Sequence, residues 1–482
     1  MSLMGVDVGT TGVKAVVFDE KGNILSSAYR EYALLFPFPN AAELDPHEVM
    51  DAACQVIASS ANAAAIKDPV TAIGIASQGE AFTPVARDGS FLCNAMISSD
   101  SRAGSIVAPW SDTFGVDRLY QITGHTPYPM YSLYKFLWLK EHHPHVWDKT
   151  WKHLFFEDLL AYVLTGETVI DFSLASRSML FDIRKKVWSK EILSQIDLPI
   201  DKLPTPVQSG GIAGHVRAIK ADALGLDRDV MVVIAGHDQP VGALGCGAAS
   251  EGSAAYSMGT VECICPAAGN AILNAELMKS NLATYPHVLP NIYTTVAFNM
   301  TGGAVLKWIR DNFALEEVTR ARAAGQDPYE AIIASASIKP SNLLFLPHFG
   351  PTGTPHFDPN GAGTLFGLKL STGRGEIIRS ALEGITYEMK LNLSILADSG
   401  FSVRQLRAVG GGARSDIWMQ IKADILGIPL TTIQISEGTC AGAAILGGSG
   451  IGILSAEETS LSWTVPIRTF EPNVSRASLY DD

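Results

Sequence analysis

The sequence predicts an α/β protein built from two large domains. Strongly apolar segments with strand character alternate with segments of helical periodicity along the chain. The chain has 482 residues, which is too long for one hydrophobic core and typical of two domains. A pattern of strand, Gly-Thr turn and strand occurs around Gly9 and again around Gly259, about half a chain later. We therefore expect two related domains, residues 1–246 and 247–482, that share a cleft.

The first predicted element is a β-hairpin at the start of the chain, in the stretch LMGVDVGTTGVKAVVF. Apolar residues alternate on both sides of its turn, as they do in paired strands. The backbone N–H groups from Gly9 onwards, the hydroxyls of Thr10 and Thr11 and the cation of Lys14 are suitable partners for phosphate oxygens. The alternative is a plain hairpin turn that Asp7 caps.

The next elements are a helix and a strand that a polar loop interrupts. Asp45 can cap the helix, Pro46 fits its first position and Glu48 completes a capping box. The stretch VTAIGIASQGEAFTPVA then returns to strand character around the loop SQGEA. A further half-buried helix, SLYKFLWLKEHH, is expected to end before Pro144.

An uninterrupted apolar strand, in the stretch RDVMVVIAGHDQPVGALGCG, ends close to Asp238. Strands this apolar lie inside a sheet whose two faces are covered. The carboxyl ends of strands in open α/β sheets are where ligands bind, so Asp238 stands at an edge suited to a functional site. From the residues alone, a helix-capping role explains this aspartate equally well.

A third glycine turn, in the stretch LRAVGGGARSDIWMQIK, places Gly410 to Gly412 between a strand and a helix. Glycines allow a backbone to approach a ligand closely, and a helix N-terminus favours an anion. A tight turn is the simpler explanation of one such stretch. The chain has three glycine turns next to strands, however, and this recurrence favours phosphate binding. The chain has neither the GxxxxGK[ST] pattern nor GxGxxG after its first strand, which argues against Walker-type and dinucleotide-binding folds.

The composition excludes several other classes. The net charge of −13 argues against a nucleic-acid partner, because a phosphate backbone requires a basic surface. No leader pattern and no apolar run of membrane-spanning length is present in the sequence, so we expect a cytoplasmic protein with no membrane partner. The six cysteines form no CxxC pair, which indicates neither a zinc site nor a disulfide framework.

These segments together resemble the FGGY carbohydrate kinases, whose fold is shared with heat-shock ATPases and actin. The resemblance spans essentially the whole chain and is specific in DVGTTGVK, MYSLYKFLWLKEH, GHDQ, GTLFGLKLSTGRGEIIRSALEG and GGGARSD. It implies two actin-like, ribonuclease H-like domains around a central cleft. It also implies an ATP-dependent kinase that uses Mg²⁺ and transfers a phosphate to a small sugar, and a homodimer is compatible with it.

The resemblance assigns roles residue by residue. Asp7 matches the acid that holds Mg²⁺ through water, and Asp238 matches the catalytic base, which a phosphoryl transfer to a hydroxyl requires. The other matched residues fall into two phosphate loops (Gly9, Thr10, Thr11, Lys14; Gly259, Thr260), an adenosine side (Gly411, Gly412, Asp416) and a sugar site (Gln78, Glu80, Gln239).

The sugar site departs from the pattern of the members that phosphorylate glycerol. Gly79 stands where those members carry an arginine, and Ser98 and Met130 stand where they carry aromatics. The loss of these side chains is expected to enlarge the pocket, so a ketopentose such as xylulose fits better than glycerol. The alternatives are a kinase for glycerol, erythritol, a pentitol or gluconate, an inactive sugar-binding relative, or an actin-like or heat-shock-like ATPase.

Overall fold

The computed structural model describes residues 1–65, 68–435 and 437–480. The strands of the first half are β1 (Ser2–Val8), β2 (Gly12–Phe18), β3 (Ile24–Glu31), β4 (Glu43–Leu44), β5 (Val70–Ser77), β6 (Phe82–Val85), β7 (Ala95–Met96), β8 (Lys152–Phe155), β9 (Val169–Asp171), β10 (Phe181–Asp182), β11 (Val187–Trp188), β12 (Thr205–Val207), β13 (Gly211–His215) and β14 (Met231–His237). Its helices are α1 (Pro46–Ala65), α2 (Gly104–Phe114), α3 (Val116–Thr123), α4 (Ser132–His142), α5 (Pro144–Lys149), α6 (Phe156–Thr165), α7 (Phe172–Ser176), α8 (Lys190–Gln195), α9 (Ala218–Leu224) and α10 (Asp238–Gly245).

The second half contains the remaining elements. Its strands are β15 (Gly252–Met258), β16 (Glu262–Ala268), β17 (Tyr285–Pro286), β18 (Tyr293–Thr294), β19 (Ala297–Asn299), β20 (Leu344–Leu346), β21 (Thr364–Phe366), β22 (Val403–Val409), β23 (Leu430–Ile433) and β24 (Pro466–Phe470). Its helices are α11 (Ala275–Lys279), α12 (Gly303–Asn312), α13 (Leu315–Ala323), α14 (Pro328–Ala334), α15 (Arg374–Asp398), α16 (Asp416–Leu426), α17 (Gly438–Gly450), α18 (Ala456–Trp463) and α19 (Val474–Ala477). We propose a boundary between residues 246 and 247, in the segment that joins α10 to β15.

The two halves repeat one sheet. In the first half the strands lie in the order β3, β2, β1, β5, β14, β13, and in the second half β19, β16, β15, β22, β23, β24 follow the same order. The pairings also agree: each sheet opens with antiparallel pairs, continues with parallel pairs and closes with an antiparallel strand. The α/β class and the internal repeat predicted from the sequence are thus confirmed.

The local start and stop signals of the first half act as the sequence predicts. The backbone N–H of His47 donates to Asp45 Oδ1 over 2.8 Å, so the aspartate caps α1. Helix α4 ends at His142, and Pro144 opens the next helix. Every residue of β14 after Met231 is buried, as its apolar sequence requires.

Helices α10 and α17 pack against each other between the two sheets; α17 covers the first sheet, and α10 contacts strands of both sheets. Helix α17, from the second half, packs directly on β1 and β5. There Gly5 and Gly74 leave room for its backbone, because a Cβ at either position would collide with the carbonyl group of Cys440 or Ala443. Helix α10, from the first half, packs with Cys246 against Ala255 and Cys265 of the second sheet. Among the described residues, no helix is long and apolar enough to cross a membrane.

Candidate active site

The first predicted phosphate loop is the tight turn between β1 and β2. The N–H of Gly9 donates to the carbonyl oxygen of Gly12 over 3.0 Å. The hydroxyl of Thr10 donates to Gln78 Oε1 over 3.0 Å, and Gln78 Nε2 donates back to the Gly9 carbonyl oxygen over 3.0 Å. Gln78, predicted as a sugar residue, therefore also fixes the loop, while Thr11 is exposed.

Lys14 extends from β2 across the cleft toward the second half. Its ammonium group lies 2.8 Å from Glu437 Oε2, and both side chains keep partial contact with solvent. Glu437 stands just before α17, at the position that corresponds to the start of α10 in the repeat. This glutamate was not predicted from the sequence, although a strand followed by the glycine-rich stretch EGTCAGAA was a usable signal.

Asp7 and Asp238 face one cavity of about 210 Å³ between the two halves. Both residues are half-buried, and the Oδ1 atom of each is shielded from solvent. Asp7 Oδ1 has no hydrogen-bond partner among the described residues, and Asp238 Oδ1 lies 3.3 Å from Nε2 of His237, whose pKa burial lowers well below its usual range. Burial raises the pKa of Asp7 to about 8, and the charge of Asp238 adds to that shift. Burial likewise raises the pKa of Asp238 to about 6.

These two carboxylates fit the requirements of Mg²⁺. The ion prefers oxygen ligands and is usually held by one or two carboxylates together with substrate phosphates and water. Buried carboxylate oxygens that face one cavity are such ligands, and burial raises the pKa of both groups. Within the described ranges no group of three or more metal-ligating side chains gathers.

Asp238 also lines a second cavity, of about 190 Å³, which is the candidate sugar pocket. Asp238 is the first residue of α10, directly after β14, so the strand end positions its carboxylate. The first half contributes Thr10, Gln78, Gly79, Glu80, Ser98, Met130, Tyr131, Arg177, His237 and Gln239 to the wall, and the second half contributes Cys263, Asn281, Ala283, Val296, Phe298 and Phe357. The predicted sugar residues are therefore brought together around the predicted base.

Arg177, which the sequence analysis missed, is the cation of this pocket. Its Nε donates to Glu80 Oε1 over 2.5 Å, and its guanidinium carbon lies 5.2 and 5.4 Å from the ring centres of Tyr131 and Tyr285. A Cβ at Gly79 would stand 3.3 Å from Arg177 Nε. Arg177, directly after α7, therefore lies beside position 79, and the expectation that the missing arginine enlarges the pocket stays a prediction. A lone arginine in the stretch LASRSML gave no signal of this contact.

The second phosphate loop and the glycines of the predicted adenosine side line one larger cavity of about 650 Å³. Gly259, Thr260, Gly411 and Gly412 all face it. The N-terminus of α12 is joined to the loop, since the N–H of Gly303 donates to the Gly259 carbonyl oxygen over 2.9 Å. A helix N-terminus beside a glycine turn favours phosphate. The sequence analysis missed α12, although the glycine pair in NMTGGAVLKW was a usable signal.

Asp416 is the one predicted residue that the structure sets apart from this cavity. It lies at the start of α16, is largely exposed and pairs with Arg468. It lines a neighbouring cavity of about 400 Å³ instead. Its role on the adenosine side remains a prediction that its position does not support.

Two family models cover most of the chain. The N-terminal domain of the FGGY family of carbohydrate kinases matches residues 2–245, and its C-terminal domain matches residues 254–451. The chain belongs to the FGGY family of carbohydrate kinases. As an FGGY kinase it is an ATP-dependent enzyme that phosphorylates a sugar, and the actin-like or heat-shock-like ATPase considered above is excluded as its activity.

Relatives of this FGGY kinase carry three different substrate names. The chain is 28% identical to a xylulose kinase of Staphylococcus epidermidis, over 99% of this chain and 94% of the relative. It is 29% identical to a gluconokinase of Bacillus licheniformis (92% and 86%) and 30% identical to glycerol kinase 2 of Sulfolobus acidocaldarius (99% and 95%). The solved structure of a ligand-bound xylulose kinase from Lactobacillus acidophilus matches its fold with a TM-score of 0.91 at 24% identity, over 100% of this chain and 95% of that one. The family is therefore clear, and the sugar has to be argued from the pocket.

Proposed function

We propose that this FGGY kinase transfers the γ-phosphate of ATP to a primary hydroxyl of a small neutral sugar, and that the sugar is a ketopentose such as xylulose. The position of Asp238 carries the proposal. Its carboxylate is the acidic group that lines both the sugar pocket and the cavity between the halves. A hydroxyl in the pocket and a phosphate in that cavity would therefore meet beside it.

The side chains around this meeting point suit phosphoryl transfer. Asp238 would accept the hydroxyl proton, and its raised pKa brings its basicity closer to that of a base working near neutral pH. Lys14 and the N–H groups of the two glycine turns would bind the phosphates, with Lys14 leaving Glu437 as they enter. Asp7 would hold Mg²⁺, which supplies positive charge to the transferring phosphate when bound.

The charges of the pocket favour a neutral sugar over an aldonate. The cation of Arg177 is already paired with Glu80, so it leaves no free positive charge for a substrate carboxylate. Asp238 and Asp7 add negative charge nearby. An acidic sugar would therefore face repulsion without a compensating partner.

The polar groups of the pocket favour a substrate longer than glycerol. Polar side chains line its wall in both halves, among them Glu80 and Gln239 from the first half and Asn281 from the second. A triol offers them few hydroxyls, and each buried polar group left unpaired costs roughly 1–3 kcal/mol. A ketopentose or a pentitol presents more hydroxyls to the same wall.

An ADP-release assay over ketoses, polyols, glycerol and aldonates tests the proposal. We expect kcat/KM for the best five-carbon ketose or polyol to exceed that for glycerol by at least about 10²-fold, which two such penalties supply. Turnover that is highest with glycerol or with an aldonate contradicts this choice of sugar and leaves the family assignment intact.

A further inference from the structure

We propose that the Arg177–Glu80 pair sets the charge of the sugar that the pocket accepts, and that removing the Glu80 carboxylate exposes a carboxylate-binding arginine. The inference rests on the proposed neutral sugar. In the native pocket Glu80 occupies the guanidinium group of Arg177. A pocket without that carboxylate would accept an aldonate, whose own carboxylate would pair with Arg177.

Arg177 is held in position by groups other than Glu80. The rings of Tyr131 and Tyr285 lie against its guanidinium group, and its Nη1 lies 3.3 Å from His125 Nε2. Burial lowers the pKa of His125 to about 3, so this imidazole is neutral and can accept a hydrogen bond. Because these partners remain when Glu80 is shortened, the cation should stay at the wall of the pocket.

Glu80 is likewise fixed where it blocks the arginine. Its backbone adopts a φ of 64°, in the left-handed region that a glutamate rarely occupies. The Ser132 hydroxyl donates to its carbonyl oxygen over 2.7 Å, and the Ser98 hydroxyl donates to its Oε2. This backbone is therefore held in place although it is strained, and it directs the carboxylate onto the guanidinium group.

The carboxylate of an aldonate has the same charge and planar shape as the carboxylate of Glu80. Arginine binds such groups through parallel N–H donors, which lysine cannot imitate. Glu80→Ala empties the space next to Arg177 within the pocket. A substrate carboxylate can then pair with Arg177 in the place that Glu80 occupies in the native protein.

The test compares wild type, Glu80→Ala, Glu80→Gln and the double variant Glu80→Ala with Arg177→Gln on xylulose, xylonate and gluconate. The measured quantity is the ratio of kcat/KM for the aldonate to that for the ketose. We expect this ratio to rise by at least about 10-fold in Glu80→Ala. The variant loses a negative charge that repels the aldonate, and the aldonate carboxylate gains an ion pair with Arg177. In the double variant the ratio should fall back toward that of wild type.

The affinity for xylonate, measured by calorimetry without ATP, gives a second readout that does not depend on turnover. It should be higher in Glu80→Ala than in wild type and fall again in the double variant. Glu80→Gln keeps the side-chain volume and removes the charge, so it serves if Glu80→Ala fails to fold. The matched control is Glu383→Ala, which breaks the buried Arg379–Glu383 pair of the second half, far from the pocket. That variant should lower stability and leave the ratio unchanged.

An unchanged ratio in both Glu80 variants overturns the inference, as does an equal rise with and without Arg177. A wild-type enzyme that already prefers aldonates contradicts the proposed neutral sugar instead, so the two failures are distinguishable.

Discussion

Asp238 is the residue on which the proposed chemistry depends most. A positioned general base contributes about 10² to 10⁴ in rate, so Asp238→Asn should lose that factor in kcat. The amide keeps the shape of the side chain, and sugar binding measured by calorimetry should persist. Turnover close to that of wild type would rule out its role as the base.

The pH dependence of wild type gives an independent check on the same residue. Because the pKa of Asp238 is raised to about 6, the free enzyme should lose kcat/KM as the pH falls through about 6 and the base becomes protonated. Above that pH the base is ionised, and a further rise in kcat/KM up to about pH 8 would belong to Asp7, whose pKa burial raises to about 8. Asp238→Asn should show no such limb, and an identical limb in the variant would assign it to another group.

For single residues, the sequence predicts those that stand in a recognisable motif. It does not predict residues that act through contacts with parts of the chain far away in sequence. Asp7, Asp238 and Glu80 each stand in a short pattern with a recognisable chemistry, and the structure places all three at the cleft. Arg177 reaches Glu80 across 97 positions of the chain, and no local periodicity encodes such a contact. Asp416 stays a prediction on the adenosine side, because a motif fixes the start of a helix but not the direction of its side chains, and this carboxylate pairs with Arg468.

Among the elements, the close contact between α17 and the first sheet makes the sharpest prediction. The Cβ of Gly74→Ala would collide with the Ala443 carbonyl group, and forcing atoms into packed space costs about 1–3 kcal/mol. We expect a clear loss of stability in urea unfolding. Gly350→Ala is the control, because a Cβ there meets nothing within 4 Å, and its stability should match that of wild type. Equal stability of the two variants would contradict the close packing.

Elements with strong local signals were the predictable ones. The hairpins, the capped start of α1 and the buried strand β14 follow from periodicity and turn residues. The exchange of α10 and α17 between the sheets was not predictable. A helix that is apolar on several faces does not reveal which sheet it covers, and most of α17 is buried.

For the whole molecule we expect the cleft to close when both substrates bind. The sugar pocket and the cavity that Asp7 and Asp238 share take walls from both halves, whereas the cavity of the second phosphate loop is lined by the second half. Closure would bring the hydroxyl to the γ-phosphate and exclude water. Small-angle scattering should show a smaller radius of gyration with sugar and a non-hydrolysable ATP analogue together than with either alone. Profiles that remain unchanged with both ligands would contradict closure.

The exchange of α10 and α17 has a consequence for the origin of this fold. The two helices follow equivalent strands of a duplicated unit, and each packs on strands of the other unit. A single-unit ancestor would have had an uncovered sheet face and a helix without a partner surface. In a dimer of two copies related by a two-fold axis, the helix of each copy would have covered the sheet face of the other. The two copies would have shared a site at their interface. Gene duplication would then join such a dimer into one chain, and divergence would place Asp238 at the start of one helix and Glu437, which faces Lys14, directly before the other.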